Sequence, residues 1–189
     1  MITIGITGGI GSGKSVVSRM LRLRGYDVYD CDLEAKRIMD ESEEVLKALN
    51  GRFGDEVCAA GGPINRPQLA RHVFSSDQHR LWLNSLVHRL VKDDVRGWRG
   101  RLRQAGREVC YVESAILASS GLAAMCDEVW LVTAPEEERI ARVMARDGAD
   151  EKHIRERIRS QQQEERLLRE SGIPLRPIPN GNADTLLTL

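Results

Sequence analysis

The sequence predicts an α/β protein built on a parallel five-stranded sheet, and three observations support this fold class. Short apolar runs rich in β-branched residues recur along the 189-residue chain and end at glycine, acidic or threonine residues. Longer segments with helical spacing separate these runs, an alternation typical of a parallel sheet covered by helices. A glycine-rich turn joins the first run to the first helical segment.

The predicted elements follow each other in a regular order. Strands are expected over residues 1–7, 26–32, 109–112, 129–132 and 175–178. The first helix is expected over residues 15–24, where apolar residues form one side and Gly25 ends the helix. The last strand lies among prolines, which an edge strand tolerates better than a central one.

Two helical stretches interrupt this core. The core is predicted to comprise residues 1–32, 105–135 and 170–189. Residues 33–104 are much longer than an ordinary crossover and carry an amphipathic helix, so they form a helical insertion. Residues 136–169 form a polar, arginine-rich arm, which is expected to contain two helices broken at Asp147 and Gly148.

Composition excludes several classes of protein. The 28 Lys+Arg balance 28 Asp+Glu, whereas a protein that coats nucleic acid needs a net basic face. No apolar run is long enough to span a membrane, and the N-terminus lacks the basic region of a signal peptide. The four cysteines are widely spaced, which favours reduced thiols in a cytoplasmic protein over a zinc site or disulfides.

A phosphate-binding motif carries the functional argument. Residues 8–15, GGIGSGKS, match G-x-x-x-x-G-K-[ST] between a strand and a helix, which is the P-loop of a three-layer P-loop NTPase fold. The nucleotide-binding residues predicted from it are Gly9, Gly11, Ser12, Gly13, Lys14 and Ser15. Their N–H groups cradle phosphates, Lys14 reaches the β- and γ-phosphates, and Ser15 binds Mg²⁺. A plain glycine turn would leave four glycines in six positions unexplained.

Three acidic residues lie at the ends of predicted strands, on the same edge of the sheet as the P-loop. Asp30 and Asp32 are expected to point to one face of the second strand, where a carboxylate takes a hydroxyl proton or holds Mg²⁺. Asp32 is favoured as the nearer to the turn, and the alternative is a helix-capping aspartate. Glu113, after the third strand, occupies a Walker-B-like position for a metal or its water, or else is simply solvated.

Basic residues supply further candidates. Arg139, Arg142 and Arg146 lie along one stripe of a predicted helix, where cations stabilise phosphoryl transfer. The alternative is a solvated polar face paired with neighbouring glutamates. His88 lies beside an apolar helical stripe, where a lone histidine is more often structural than functional.

Taken together, the motifs resemble those of the dephospho-CoA kinases. The resemblance rests on TGGIGSGKS, on the acidic pair in YDVYDCD, on LNSLVHRLV with His88, and on ARVMARDG followed by SQQQEE, and it runs from Ile2 to about Asn180. It implies a nucleotide-binding core, a substrate-binding insertion (33–104) and a lid (136–169). It also implies ATP-dependent phosphorylation of the ribose 3′-hydroxyl of dephospho-CoA, a small-molecule substrate.

The resemblance also implies roles for single residues. Gly11 to Val16 would wrap the ATP phosphates, Asp32 would receive the hydroxyl proton, and Gln161 matches a glutamine behind the lid. The predicted lid arginines are Arg142 and Arg146, which with Asp32 and Lys14 form the catalytic set, Arg142 also contacting ATP. The predicted substrate-binding residues are Asp32, Arg66, His88 and Glu113.

The sequence departs from the family pattern at a few positions and leaves alternatives open. Val16 replaces a threonine, Arg89 replaces a proline, and the segment from Glu113 to Ser119 lacks the proline and distal glutamate of D-x-P-L-L-F-E. The alternatives are another P-loop kinase acting on a nucleoside monophosphate or small alcohol, or a non-enzymatic nucleotide-binding regulator. A monomer or weak homo-oligomer is expected.

Overall fold

Five strands form one parallel sheet in a computed structural model, which describes residues 1–59 and 62–182. The strands are β1 (Ile2–Thr7), β2 (Val28–Asp30), β3 (Val109–Glu113), β4 (Glu128–Thr133) and β5 (Leu175–Pro179). They lie in the order β2-β3-β1-β4-β5, with parallel pairing throughout. The predicted fold class is confirmed, and the proline-containing β5 lies at an edge, where missing N–H donors cost little.

Eight α-helices are described. They are α1 (Lys14–Leu23), α2 (Cys31–Glu41), α3 (Glu43–Phe53), α4 (Arg66–Ser75), α5 (Asp77–Gln104), α6 (Glu136–Asp147), α7 (Glu151–Ser160) and α8 (Gln162–Glu170). A short 3₁₀ turn, Ala123–Met125, precedes β4. None of the helices within the described residues is long and apolar enough to cross a membrane.

The chain divides into two compact units. The first comprises Met1–Asp30 and the residues from Arg101 onward, and it holds the sheet, α1 and α6 to α8. The second unit, Cys31–Gly100, holds α2, α3, α4 and most of α5. The roles predicted for the insertion and the arm, and their boundaries, stay predictions.

The centre of the sheet positions the P-loop. Every residue of β1 after Ile2 is buried, as expected of a parallel strand with a neighbour on each side. Val17 and Leu21, four residues apart on α1, pack into the same core cluster as Ile4 and Ile6 of β1. This packing anchors both arms of the P-loop, so the loop emerges at the carboxyl edge of the sheet.

Two local predictions were wrong. The second strand ends at Asp30, and α2 begins at Cys31, so Asp32 lies in the first turn of a helix and not beside Asp30 on a strand face. A carboxylate there is favoured by the positive end of the helix dipole. The arm contains three helices where two were expected, because a second break falls between α7 and α8 at Gln161.

Candidate functional site

The P-loop backbone adopts conformations that glycine permits. Gly11 and Gly13 have φ of +76° and +93°, in the left-handed region that other residues avoid. A Cβ on Gly11 would lie 2.5 Å from the carbonyl oxygen of Arg139, and a Cβ on Gly13 would overlap the side-chain amide of Asn180. The glycines therefore serve both the turn and a close approach by neighbouring elements.

Replacing Gly11 with alanine is expected to destabilise the protein more than the same change at Gly148. Both glycines have positive φ, so alanine costs about 1–2 kcal/mol at either position. Gly148 has open space around its Cβ position, whereas the new methyl at Gly11 presses on the Arg139 backbone and raises the loss to about 3 kcal/mol. Urea unfolding of the two variants measures the difference, and equal losses would contradict the close contact.

The start of α1 suits an anion. Gly13 is the N-cap of α1, no side chain caps this helix end, and its first turn contains no acidic residue. A helix N-terminus of this kind presents N–H groups and a positive partial charge to phosphate. The loop and the helix start thus fit a nucleotide phosphate group, and Ser15 lies exposed in the first turn, where a hydroxyl can ligate Mg²⁺.

Hydrogen bonds from Lys14, within the loop, and from the distant Asn180 hold the loop in this shape. Lys14 Nζ donates a 2.6 Å hydrogen bond to Gly8 O, across the loop. Asn180 Nδ2 donates to Ser12 O at 2.7 Å, and Asn180 N donates to Thr133 O at 2.7 Å. Asn180 thereby ties the P-loop to the ends of β4 and β5.

Asn180 was not among the predicted site residues. It follows the last predicted strand, at the edge where ligands bind in open α/β sheets, and that position was the available signal. Its contact with Ser12 joins residues 168 positions apart. No local pattern in the sequence encodes such a pairing.

Arg142 lies in the same region as Asn180. Its guanidinium donates to Asn180 O at 2.8 Å, to Asn182 Oδ1 at 2.9 Å and to Glu138 Oε2 at 3.2 Å. Because Asn180 also contacts Ser12, Arg142 is linked to the P-loop through a single residue. Arg146 differs: its side chain is 63% exposed and binds the neighbouring Asp147 carboxylate at 2.7 Å.

Glu113 is buried at the end of β3 and is not solvated as one alternative expected. Burial raises its pKa, and the Asp30 carboxylate, opposite it in the β2–β3 register, acts in the same direction. The Ser18 hydroxyl and the charges of Lys14 and Arg22 act in the opposite direction. Glu113 therefore holds a proton more tightly than an exposed glutamate, close to the lysine of the P-loop.

This raised pKa predicts a pH-dependent effect of Glu113→Gln on stability. A carboxyl group whose pKa is raised by folding makes its full contribution to stability at a pH below its ordinary pKa of 4.5. This contribution is lost as the pH rises through the pKa of the folded state. Glutamine mimics the protonated form, so the variant should gain stability over the wild type as pH increases from about 4 to about 8.

Urea unfolding across this pH range checks the expectation. Glu43→Gln is a control for which the opposite pH trend is expected, because Lys47 lowers the pKa of the exposed Glu43 carboxyl. Its removal should give a small loss of stability as pH rises. A Glu113→Gln advantage that does not change with pH would contradict the assigned cause.

Three predicted residues belong to the second unit. Asp32 is exposed in the first turn of α2. Arg66 begins α4 and donates to both Asp40 carboxylate oxygens, at 2.6 and 2.9 Å. His88 is partly buried on α5, and burial, with a contribution from the Lys92 charge, lowers its pKa. The imidazole is consequently neutral at physiological pH and can accept or donate a hydrogen bond.

The structure thus brings part of the predicted site together in the first unit. The residues grouped there are Gly9, Gly11, Ser12, Gly13, Lys14, Ser15, Val16, Glu113 and Arg142. Val16 is 49% exposed, so the position where the family has threonine opens to solvent.

Within residues 1–59 and 62–182, no cluster of three or more His, Cys, Asp or Glu side chains could hold a metal. Mg²⁺ does not require one, since it keeps waters and phosphate oxygens as ligands.

Comparisons with known proteins match most of the chain to one family. The family profile described as Dephospho-CoA kinase matches residues 2–175. A dephospho-CoA kinase from Porphyromonas gingivalis is 46% identical over 167 residues, which cover 88% of this chain and 81% of that protein. Another from Bacteroides fragilis is 41% identical over 164 residues, covering 87% and 78%.

Solved structures are similar to this chain in fold. TT1252 from Thermus thermophilus is 36% identical with a TM-score of 0.76, and the match covers 96% of this chain and 90% of that one. Dephospho-CoA kinase from Campylobacter jejuni shares the fold at 22% identity with a TM-score of 0.69, covering 96% and 89%.

Proposed function

Because the chain belongs to the dephospho-CoA kinase family, we propose that it transfers the γ-phosphate of ATP to the ribose 3′-hydroxyl of dephospho-CoA, giving coenzyme A and ADP. The observation that carries the nucleotide half of this proposal is the uncapped start of α1 behind the glycine loop. It lies at the centre of the carboxyl edge of the sheet, where α/β proteins bind ligands.

The residues of the P-loop bind and orient the nucleotide. Backbone N–H groups from Gly11 to Val16 receive the phosphates, and the backbone of Gly9 contributes at the start of the loop. Lys14 donates to the β- and γ-phosphates, while Ser15 Oγ would ligate Mg²⁺. A bound Mg²⁺ supplies charge neutralisation on the phosphate oxygens.

Asp32 is the proposed proton acceptor. It lies in the first turn of α2, two residues after the last residue of β2, and is exposed. Its side chain is proposed to accept the proton of the attacking hydroxyl. Arg142 and Arg146 are the proposed cations that stabilise charge on the transferring group. Arg66, His88 and Glu113 are proposed to contact the acceptor.

A coupled assay of ADP release tests the proposal. The wild-type protein with ATP and Mg²⁺ should release ADP rapidly with dephospho-CoA, and mass spectrometry should identify coenzyme A as the product. Adenosine, shikimate and nucleoside monophosphates should stimulate release far less. Preference for one of these acceptors would indicate another P-loop kinase, and slow release with every acceptor would indicate a nucleotide-binding regulator.

We further propose that this reaction takes place in the cytoplasm and that its substrate is a small molecule. The protein is proposed to bind neither nucleic acid nor membranes and to be a monomer or weak homo-oligomer. The equal numbers of acidic and basic residues support the exclusion of nucleic acid.

A further inference from the structure

The peptide groups of Ile10, inside the P-loop, are held on both sides by the arginine-rich arm. Ile10 N donates a 2.6 Å hydrogen bond to Gln161 Oε1, at the junction of α7 and α8. Ile10 O accepts a 2.9 Å hydrogen bond from Arg139 Nε, on α6. These two contacts, here called the Ile10 clamp, use the backbone donor and acceptor of the loop residue that precedes the phosphate-binding stretch.

The Ile10 side chain strengthens this attachment. It is 7% exposed and packs in one apolar cluster with residues of the arm. Its partners there are Ile140, Val143, Ile154 and Ile158. The cluster includes residues of both α6 and α7, so a residue of the P-loop completes the hydrophobic core of the arm.

The packing against α6 leaves Gly9 and Gly11, on either side of Ile10, little conformational freedom. The Cβ position of Gly11 is 2.5 Å from Arg139 O and 2.9 Å from Arg139 Cα, and that of Gly9 meets the Arg139 guanidinium. Residues 9–11 therefore lie directly against the first half of α6. The loop can change shape only if these contacts with α6 and with Gln161 change as well.

We propose that Gln161 and Arg139 are positioning residues for phosphoryl transfer, because the Ile10 clamp sets the orientation of the N–H groups that bind the nucleotide phosphates. This inference rests on the proposed function. Neither side chain needs to touch the reacting atoms. The arm and the P-loop then behave as one body, and a disturbance of the arm changes nucleotide affinity.

The physical reason is the orientation of a small set of dipoles. An anion cradle works when successive N–H groups converge on one point. Without the clamp, the buried Ile10 N–H loses its partner, and the loop gains alternative conformations in which the N–H groups no longer converge. Nucleotide binding must then reorder the loop. The affinity for nucleotide falls in proportion to the fraction of molecules whose loop is already in the binding conformation.

Gln161→Met tests the clamp with a side chain of similar length that lacks the amide oxygen. The matched control is Gln163→Met on the same stretch, where the side chain is exposed. ADP binding in the presence of Mg²⁺, measured by calorimetry, should weaken about 10–100-fold for Gln161→Met, the loss expected for a buried donor left unpaired. The control should bind like the wild type.

Kinetics separate positioning from a purely structural role. Gln161→Met should raise the KM for ATP while the KM for dephospho-CoA stays unchanged. A residue that only stabilised the fold would lower the melting temperature and leave the ADP affinity of the folded protein intact. That result, or an unchanged ADP affinity for a stable variant, would overturn the proposal.

Arg139→Met provides a second variant, which matters if Gln161→Met folds poorly. It should weaken ADP binding in the same way, and the double variant should lose less than the product of the two single losses, because both residues act through one peptide. Two fully multiplicative losses would overturn the shared clamp.

The experiment also separates this inference from the proposed function. ADP binding does not depend on the acceptor, so weakened binding without phosphorylation of dephospho-CoA would support the clamp and contradict the proposed substrate. Failure of the wild type to bind ADP would overturn both.

Discussion

Changing Asp32 to asparagine is expected to lower kcat about 10²–10⁴-fold and to leave ADP affinity at the wild-type level. Asparagine keeps the size and hydrogen-bonding capacity of the side chain but cannot take a proton from the attacking hydroxyl. The nucleotide is proposed to bind at the P-loop, so its affinity should not depend on this carboxylate. Steady-state rates with saturating ATP and dephospho-CoA, together with ADP calorimetry, measure the two effects.

A matched control removes a different carboxylate from the same helix. Glu41 is the last residue of α2, and its side chain is 66% exposed beside Arg37. Glu41→Gln should retain wild-type kcat. If Asp32→Asn also retained it, Asp32 would only stabilise the start of α2 through the helix dipole. The proton would then pass to another acceptor.

Replacing Lys14 with methionine is expected to reduce kcat/KM for ATP about 10²–10³-fold, the loss seen when one preorganised donor to a developing charge is removed. The ammonium is held by the 2.6 Å hydrogen bond to Gly8 O, so it lies across the loop. The Lys14 ammonium has three N–H donors, so it can keep its hydrogen bond to Gly8 O and also donate to a phosphate. Initial rates at varied ATP concentration measure the effect.

Stability and a surface control identify the cause of that loss. Losing the bond to Gly8 O should cost only about 1 kcal/mol of unfolding free energy. Lys47→Met removes a lysine whose side chain is 78% exposed and pairs with Glu43 on the helix surface, so it should leave the rate unchanged and lower the stability only slightly. A large fall in stability for Lys14→Met would show that the lysine mainly holds the loop together.

Predictions that depend on neighbouring residues were reliable. The P-loop, its preceding strand and its following helix lie within residues 2–23, and the structure places them as expected. The information is local, because glycine conformation, a buried apolar strand and one amphipathic helix face each follow from a few consecutive residues. The five parallel strands were found for the same reason.

The ends of elements were less predictable. The sequence around Asp30 and Asp32 favoured a longer strand, yet β2 stops where its pairing with β3 stops, at Asp30 and Glu113. Strand length depends on the partner strand, which the local sequence does not contain. The break at Gln161 has a similar origin, since its side chain binds Ile10 N across 151 positions of sequence.

The three arginines on α6 also show the difference between what neighbouring residues encode and what distant contacts decide. Their spacing put Arg139, Arg142 and Arg146 on one stripe, and nothing in that pattern distinguished them. In the structure Arg139 is bound to Ile10 of the P-loop, Arg142 to the segment after β5, and Arg146 to the adjacent Asp147. The pairs of Arg146 with Asp147 and of Arg142 with Glu138 join close neighbours in the sequence, whereas the contacts of Arg139 with Ile10 and of Arg142 with Asn180 do not.

The sequence by itself determined the fold class, the phosphate-binding loop and membership of a kinase family, because consecutive residues encode all three. Only the tertiary structure decided which distant side chains hold that loop. Asn180, Arg139 and Gln161 reach it from segments 129 to 168 positions away. Such contacts depend on how the strands are ordered and how the arm packs, and many sequences with the same local patterns would make different ones.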